Sequence, residues 1–191
     1  MSQQPPIIID VDDLIDEQQI VDHLLPLREG VPGLTVTAYS VPNRLGPVHE
    51  LAKRYPWIKF AIHGFEHTFA ECGAWTSGHA RYYIETALSM GYDYLFKPPN
   101  WIFDGELEEA CCMHNVVLHH HEKDEPRFKG LLAYPGTRAK RAGVGRHIYL
   151  HTHILRNPST TWIGDHPSFT VENLKAFDLF LSPIQKAIAC E

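Results

Sequence analysis

Three clusters of side chains in this sequence have the types and spacing to hold a cation and move a proton. Asp10, Asp12 and Asp13 crowd together near the N-terminus, His63 and His67 stand four apart, and further histidines gather at His119, His120 and His121 and at His151 and His153. Thirteen of the 191 residues are histidine; imidazole is the commonest metal ligand and the usual proton carrier near neutral pH, so this richness asks for a chemical reading. Neighbouring carboxylates repel one another unless a cation or a proton is shared between them. Two imidazoles four residues apart in a helical turn project to the same side and can reach one ion. Two histidines with one carboxylate leave coordination positions open for water and substrate, which is the arrangement of a catalytic metal rather than a closed structural one. A second carboxylate nearby can then take a proton from water that the ion has made more acidic. Plainer readings stand beside these: aspartates cap turns, surface histidines pair by chance, and the triple run also suits an engineered tag or a solvated stretch.

The elements that must position these residues follow from the hydrophobic pattern. Short β-branched or apolar runs bounded by turn residues recur at 7–11, 34–39, 58–62, 94–96, 115–118 and 147–150. Between them lie helical spacings: Ile20, Leu24 and Leu27; Val48, Leu51, Ala52 and Tyr55; Tyr82, Tyr83, Thr86, Ala87 and Met90; Leu107, Ala110 and Cys111. Gly30 and Gly91 stand where helix C-caps belong, and Asp104 can cap a helix starting near Glu106. Residues 122–146 break the pattern with charge and glycine and are expected to form a long loop or excursion; a last helix is expected over 171–181, before Pro183. Strands alternating with helices imply an α/β fold with a parallel sheet of six or seven strands. Periodicity leaves open whether that sheet is doubly wound or a small distorted barrel, but in both forms active residues collect at the C-terminal ends of the strands. Asp12 and Asp13 end the first such run, and His63 follows directly on the third. Alternation puts Asp10 and Asp12 on one face and Asp13 on the other or in the turn.

With 44% hydrophobic residues the chain can bury one substantial core, so residues 1–191 are read as a single domain. The formal charge of −6, from 17 basic and 23 acidic residues, gives no field favouring nucleic acid. The apolar run Ile7, Ile8, Ile9 is interrupted at once by Asp10, Asp12 and Asp13, which is neither a secretory signal nor a membrane span, and the expectation is a cytoplasmic protein. The cysteines fit that: Cys111 and Cys112 are neighbours, Cys72 and Cys190 lack a framework spacing, and all are read as reduced thiols.

Taken as a set, Asp12-Asp13 after the first strand, His63-x-x-x-His67 after a later one and Lys97-Pro98-Pro99 after the next resemble the first three motifs of the NodB-like polysaccharide deacetylase superfamily, also called carbohydrate esterase family four. The resemblance spans residues 7–101 in order, with Leu150-His151 similar to the family's last motif. It implies a compact distorted (β/α) barrel of about six to seven mostly parallel strands, one divalent ion, expected to be zinc, held by Asp13, His63 and His67, with Asp12 as general base and His151, or His153 two residues on, as the acid toward a leaving amine. The family's third motif has arginine before its prolines to orient the base; here Lys97 keeps the charge but loses the planar two-pronged contact. Where relatives place an aspartate and a tryptophan, this chain has His119, His120, His121, Glu122 and Asp124, and the tuning of the acid has no assignment.

The function so implied is metal-dependent removal of an acyl group, expected to be N-acetyl, from a sugar or related small molecule or an oligosaccharide, with no nucleic-acid or membrane partner. Phe65, Phe69, Trp75, Trp101 and Phe103 lie near the motifs and could stack on a sugar face or serve the core. The short chain leaves open a groove completed by a second copy in a homo-oligomer. Two alternatives remain: a detuned metal-containing carbohydrate-binding protein of the same fold, and a metal-dependent phosphoesterase, which usually needs more ligands or a second ion.

Overall fold

Helix-period and strand-period segments alternate along the chain, and the structure joins the strands into one sheet covered by the helices. The computed structural model describes residues 8–30, 33–121, 133–136, 147–151, 161–163 and 166–169. Nine strands are β1 (Ile8–Leu14), β2 (Val36–Ser40), β3 (Ile58–Ile62), β4 (Leu95–Phe96), β5 (Val117–His121), β6 (Ala133–Gly136), β7 (His147–His151), β8 (Thr161–Ile163) and β9 (His166–Phe169). They lie in the order β6-β5-β4-β3-β2-β1-β7-β8-β9. Every pairing from β6 to β7 is parallel, and the last two are antiparallel. The seven parallel strands agree with the six to seven expected; among the described residues the pairings form a linear series, and none joins its two edges.

All six strand-like runs read from the sequence form strands. The expectation of a long loop over 122–146 needs correction, because β6 lies inside it and pairs with β5 from Leu118↔Ala133 to His121↔Gly136. Its four residues, Ala-Tyr-Pro-Gly, have no alternation to read, and a proline is tolerated because β6 is the last strand of the series. The strands β8 and β9 were likewise not anticipated. The expected helix over 171–181, together with His153, Glu122, Asp124 and Cys190, lies outside the described residues.

The helices follow their local signals. Asp16 opens α1 (Glu17–Gln19) with a reciprocal capping box: its carboxylate accepts from the Gln19 N–H at 2.9 Å, and the Gln19 side chain accepts from the Asp16 N–H. A π-helical turn, Ile20–Leu24, leads into α2 (Leu25–Gly30). After β2 come α3 (Pro42–Leu45) and α4 (His49–Arg54). Between β3 and β4 runs α5 (Ser77–Ser89), capped by Thr76 and stopped at Met90 before Gly91, whose φ of +93° suits glycine alone. Asp104 caps α6 (Gly105–Met113), as expected. No described helix is long and apolar enough to cross a membrane.

These helices and the sheet enclose a core that includes Val11, Leu14, Phe60, Ile62, Phe96 and Leu118 from the strands and Ile84, Ala87, Leu107 and Ala110 from α5 and α6. Cys72 and Cys111 are buried there as free thiols, and burial pushes both thiols up, away from the reactive thiolate. Helix α5 packs on α6, buries Ile84 and Ala87 in this core and stacks Tyr83 on Phe65 of the 63–67 segment. Ile84, fully buried on α5, is expected on truncation to alanine to cost about 2–5 kcal/mol of stability in urea unfolding; a loss under about 0.5 kcal/mol would show that α5 does not seal the core.

Candidate metal centre and active site

The last residues of β1 leave the regular pleat, and that departure sorts three aspartates into different roles. Asp10 and Asp12, two apart, present their carboxylates to the same buried ammonium, Lys97 Nζ, at 3.6 and 2.7 Å. Asp13 has a left-handed backbone with φ of +63° beside a register shift between β1 and β2, and its side chain turns instead toward the histidines. Strand alternation had anticipated the split between Asp12 and Asp13; the bulge supplies its mechanism.

His63 follows β3 directly. Its backbone N–H donates to Ser40 O, continuing the register, and its Nδ1 lies 2.7 Å from the Lys97 carbonyl oxygen. A carbonyl can only accept, so Nδ1 carries a proton, and Nε2, 3.3 Å from Asp13 Oδ1, is the nitrogen placed to ligate. His67 reaches the same Asp13 Oδ1 at 2.6 Å through Nε2. The two imidazoles converge, with ring centroids 5.2 Å apart, but not by the expected helical turn. Residues 63–67 form an irregular loop, with φ of +66° at Gly64 and +61° at His67. Gly64 is required there for a further reason, since a Cβ would meet Pro99 Cγ at 2.8 Å.

Asp13, His63 and His67 each offer one donor atom, all within 4.8 Å of one another. Donors around one tetrahedral zinc, with bonds near 2.0–2.1 Å, stand roughly 3.3–3.4 Å apart. The Asp13–His63 separation of 3.3 Å matches that figure, and the Asp13–His67 separation of 2.6 Å is that of a direct hydrogen bond. The donor set therefore fits one divalent ion. The same hydrogen bond, with Asp13 as acceptor, raises the His67 pKa above its ordinary value.

Behind this triad, Lys97 is 1% exposed. Besides the two carboxylates, its ammonium lies over the rings of Tyr39, 4.5 Å from the centroid, and Trp101, 5.2 Å away. What lysine lacks of arginine's planar fork is thus supplied by two aromatic faces. Tyr39, Asp10 and His119 complete this second layer: His119 Nδ1 is 3.1 Å from Tyr39 Oη and 3.5 Å from Asp10 Oδ2, and the Trp101 ring meets its imidazole edge-on. Sequence reasoning assigned no role to Asp10, Tyr39 or His119. Their common signal is position on the parallel sheet, Asp10 on β1, Tyr39 on β2 and His119 on β5.

A cavity of about 230 Å³ opens onto Asp12, Asp13, His63, His67, Lys97 and Trp101. Of the aromatic residues near the motifs, Trp101 lines it and Phe69 is 83% exposed, while Phe65, Trp75 and Phe103 pack on the core. In the sheet, His151 is the residue of β7 paired with Asp12 of β1, which sets the two backbones side by side at the same strand end; the His151 side chain lies outside the described residues, as do those of His120 and His121.

No protein-family model matches the sequence, and no curated protein matches it. Solved structures do. The chain is similar to the family 4 carbohydrate esterase from Streptomyces lividans in complex with acetate, at 15% identity over 61% of this chain and 62% of that one, with a TM-score of 0.50. It is similar to the T48 deacetylase with substrate, at 12% identity over 95% of this chain and 84% of that one, with a TM-score of 0.54. A CE4 family pseudoenzyme from Bacillus anthracis is matched at 11% identity over 62% of this chain and 43% of that one, with a TM-score of 0.50. The chain therefore spans less than two thirds of the Streptomyces esterase and less than half of the Bacillus protein. At these identities the likeness lies in the course of the backbone, and by that course this chain has the fold of the NodB-like polysaccharide deacetylase superfamily.

Proposed function

We propose that this chain is a metal-dependent hydrolase that removes an acyl group, N-acetyl in the simplest case, from a sugar or related small molecule. The observation that carries this reading is the meeting of Asp13, His63 and His67 within 4.8 Å, beside a separate carboxylate, Asp12, held 2.7 Å from a buried ammonium. A divalent ion, zinc by the donor set, would supply Lewis acidity to the acyl oxygen and to the attacking water. The chain's own groups do the rest. Asp12, turned away from the ligand triad by the bulge and fixed by Lys97, takes the proton of the attacking water. His151, on the strand paired with Asp12, returns a proton to the departing nitrogen. Two groups that give and take protons from adjacent parallel strands suit the cleavage of an amide, whose leaving amine must be protonated. The cavity of about 230 Å³ is below the roughly 300–1,000 Å³ of a pocket for a whole ligand. It suits an acyl group entering from an open rim where the sugar rests, with Trp101 as an apolar wall.

One observation favours a second reading, a carbohydrate-binding protein that keeps the ion but has lost turnover. On β5, where relatives place the aspartate and tryptophan that tune the acid, this chain has His119, directed to Asp10 and Tyr39; a structurally similar protein is a pseudoenzyme. Substitution separates the two. Asp12→Asn is expected to retain bound metal and lower acetate release from N-acetylated sugars by about 10²–10⁴-fold, whereas His63→Ala loses metal and activity together. Equal metal loss in both variants would mean the roles of the carboxylates are exchanged; a metal-loaded wild-type protein inactive on a broad panel of acylated sugars would favour the binding reading.

The raised His67 pKa gives the pH dependence a sign. Below the ordinary imidazole value of about 6.5 both folded and unfolded forms hold this proton, and the Asp13–His67 contact contributes its full share to the stability of the metal-free protein. That share is lost as pH rises through the higher folded pKa. Metal must displace the same proton, so affinity runs the other way: it is expected to fall about tenfold per pH unit as pH drops below the folded pKa. Chelator competition across that range measures it, and an affinity flat with pH would show that His67 is not a ligand.

A further inference from the structure

Four residues beyond His67, the chain returns a carboxylate into the loop that carries both histidines. Glu71 is 8% exposed. Its Oε1 accepts from the backbone N–H of Phe65 at 3.1 Å and of His67 at 2.9 Å, and its Oε2 accepts from the N–H of Glu66 at 3.1 Å. Three successive amides pointing inward form a concavity that ordinarily takes up an anion; here the chain fills it with its own side chain. The left-handed Ala70, φ +55°, turns the backbone so that Glu71 can reach back. Gly64 is the counterpart of this contact, because a Cβ there would stand 1.9 Å from Glu71 Oε1.

The other supports of the loop hold its first half. The Phe65 carbonyl accepts from the Asn43 N–H at 3.0 Å, the Phe65 ring stacks on Tyr83 with centroids 4.4 Å apart, and His63 is fixed by Lys97 O. For the unfavourable left-handed backbone of His67 the hydrogen bond from its own N–H to Glu71 is the local restraint. We infer that Glu71 is a positioning residue for the metal centre: by capping the amides of residues 65–67 it holds His67 in the one backbone conformation that brings Nε2 to Asp13. The inference rests on the proposed function, in that it takes Asp13, His63 and His67 as one ligand set. Glu71 itself touches neither ion nor substrate.

Glu71→Gln is a conservative test: whichever way the amide sits, its NH₂ group confronts one or two of the three backbone N–H groups, so the cap over residues 65–67 is broken while size and shape are kept. Zinc affinity by chelator competition and the visible spectrum of the cobalt-loaded protein are read in wild type, Glu71→Gln, His67→Ala and the double variant, with the melting temperature of each metal-free protein as a fold control. The expected result is an affinity loss of about 10–100-fold in Glu71→Gln, a cobalt spectrum shifted toward that of His67→Ala, and less than about twofold further loss when Glu71→Gln is added to His67→Ala. Gly64→Ala, which drives the carboxylate out without altering its charge, is expected to give the same spectral shift and serves if Glu71→Gln does not fold. Wild-type affinity and spectrum in Glu71→Gln, or losses that multiply fully in the double variant, overturn the inference alone. Absence of zinc binding by wild type overturns the proposed function and the inference with it.

Discussion

Lys97 carries its ammonium from the end of β4 past β3 and β2 to carboxylates on β1, and at 1% exposure that charge has no water to return to. Removing a partner from a buried ion pair costs roughly 3–5 kcal/mol, because the group left behind is uncompensated. Asp10, Asp12, Tyr39 and Trp101 together meet the demand from three segments of chain. The need to satisfy one buried cation thus ties the first strand, the second strand and the proline loop to each other at a single end of the sheet. The candidate ligands sit on this frame: Asp13 is the next residue after a carboxylate already fixed, and His63 leans on the same residue's carbonyl.

Much of that frame was legible in the sequence because it depends on strand-end position and on side-chain alternation. The run Ile58–Ile62 ends one residue before His63, and a period of two puts Asp10 with Asp12. What was not legible depends on backbone geometry that no residue type announces. Asp13 and His67 both adopt positive φ although neither is glycine, so the pair His63 and His67 met through an irregular loop and not through the helical spacing that suggested it. The strand β6 escaped notice because four residues containing proline and glycine have no hydrophobic period. His119 stood out by type alone; its place against Tyr39 and Asp10 depends on β5 and β2 lying three strands apart in one sheet, which is a fact of topology.

Under the proposed function, the electrostatic layout would separate holding an ion from moving a proton. Asp13, with two imidazoles, has the composition of an open site, and Asp12 is kept from joining it by its own ion pair. A carboxylate free to swing would bind the ion and cease to be a base. The left-handed Asp13 sends adjacent side chains in different directions, Asp12 to Lys97 and Asp13 to His67.

Lys97 serves the two halves through different atoms, its carbonyl accepting from His63 Nδ1–H and its ammonium donating to Asp12 Oδ1. Every amino acid carries the carbonyl, whereas the ammonium belongs to lysine. Exchange of the side chain at this position would therefore leave the imidazole tautomer in place while releasing the Asp12 carboxylate. If the proposed function holds, position 97 is where a side-chain exchange would separate ion binding from turnover.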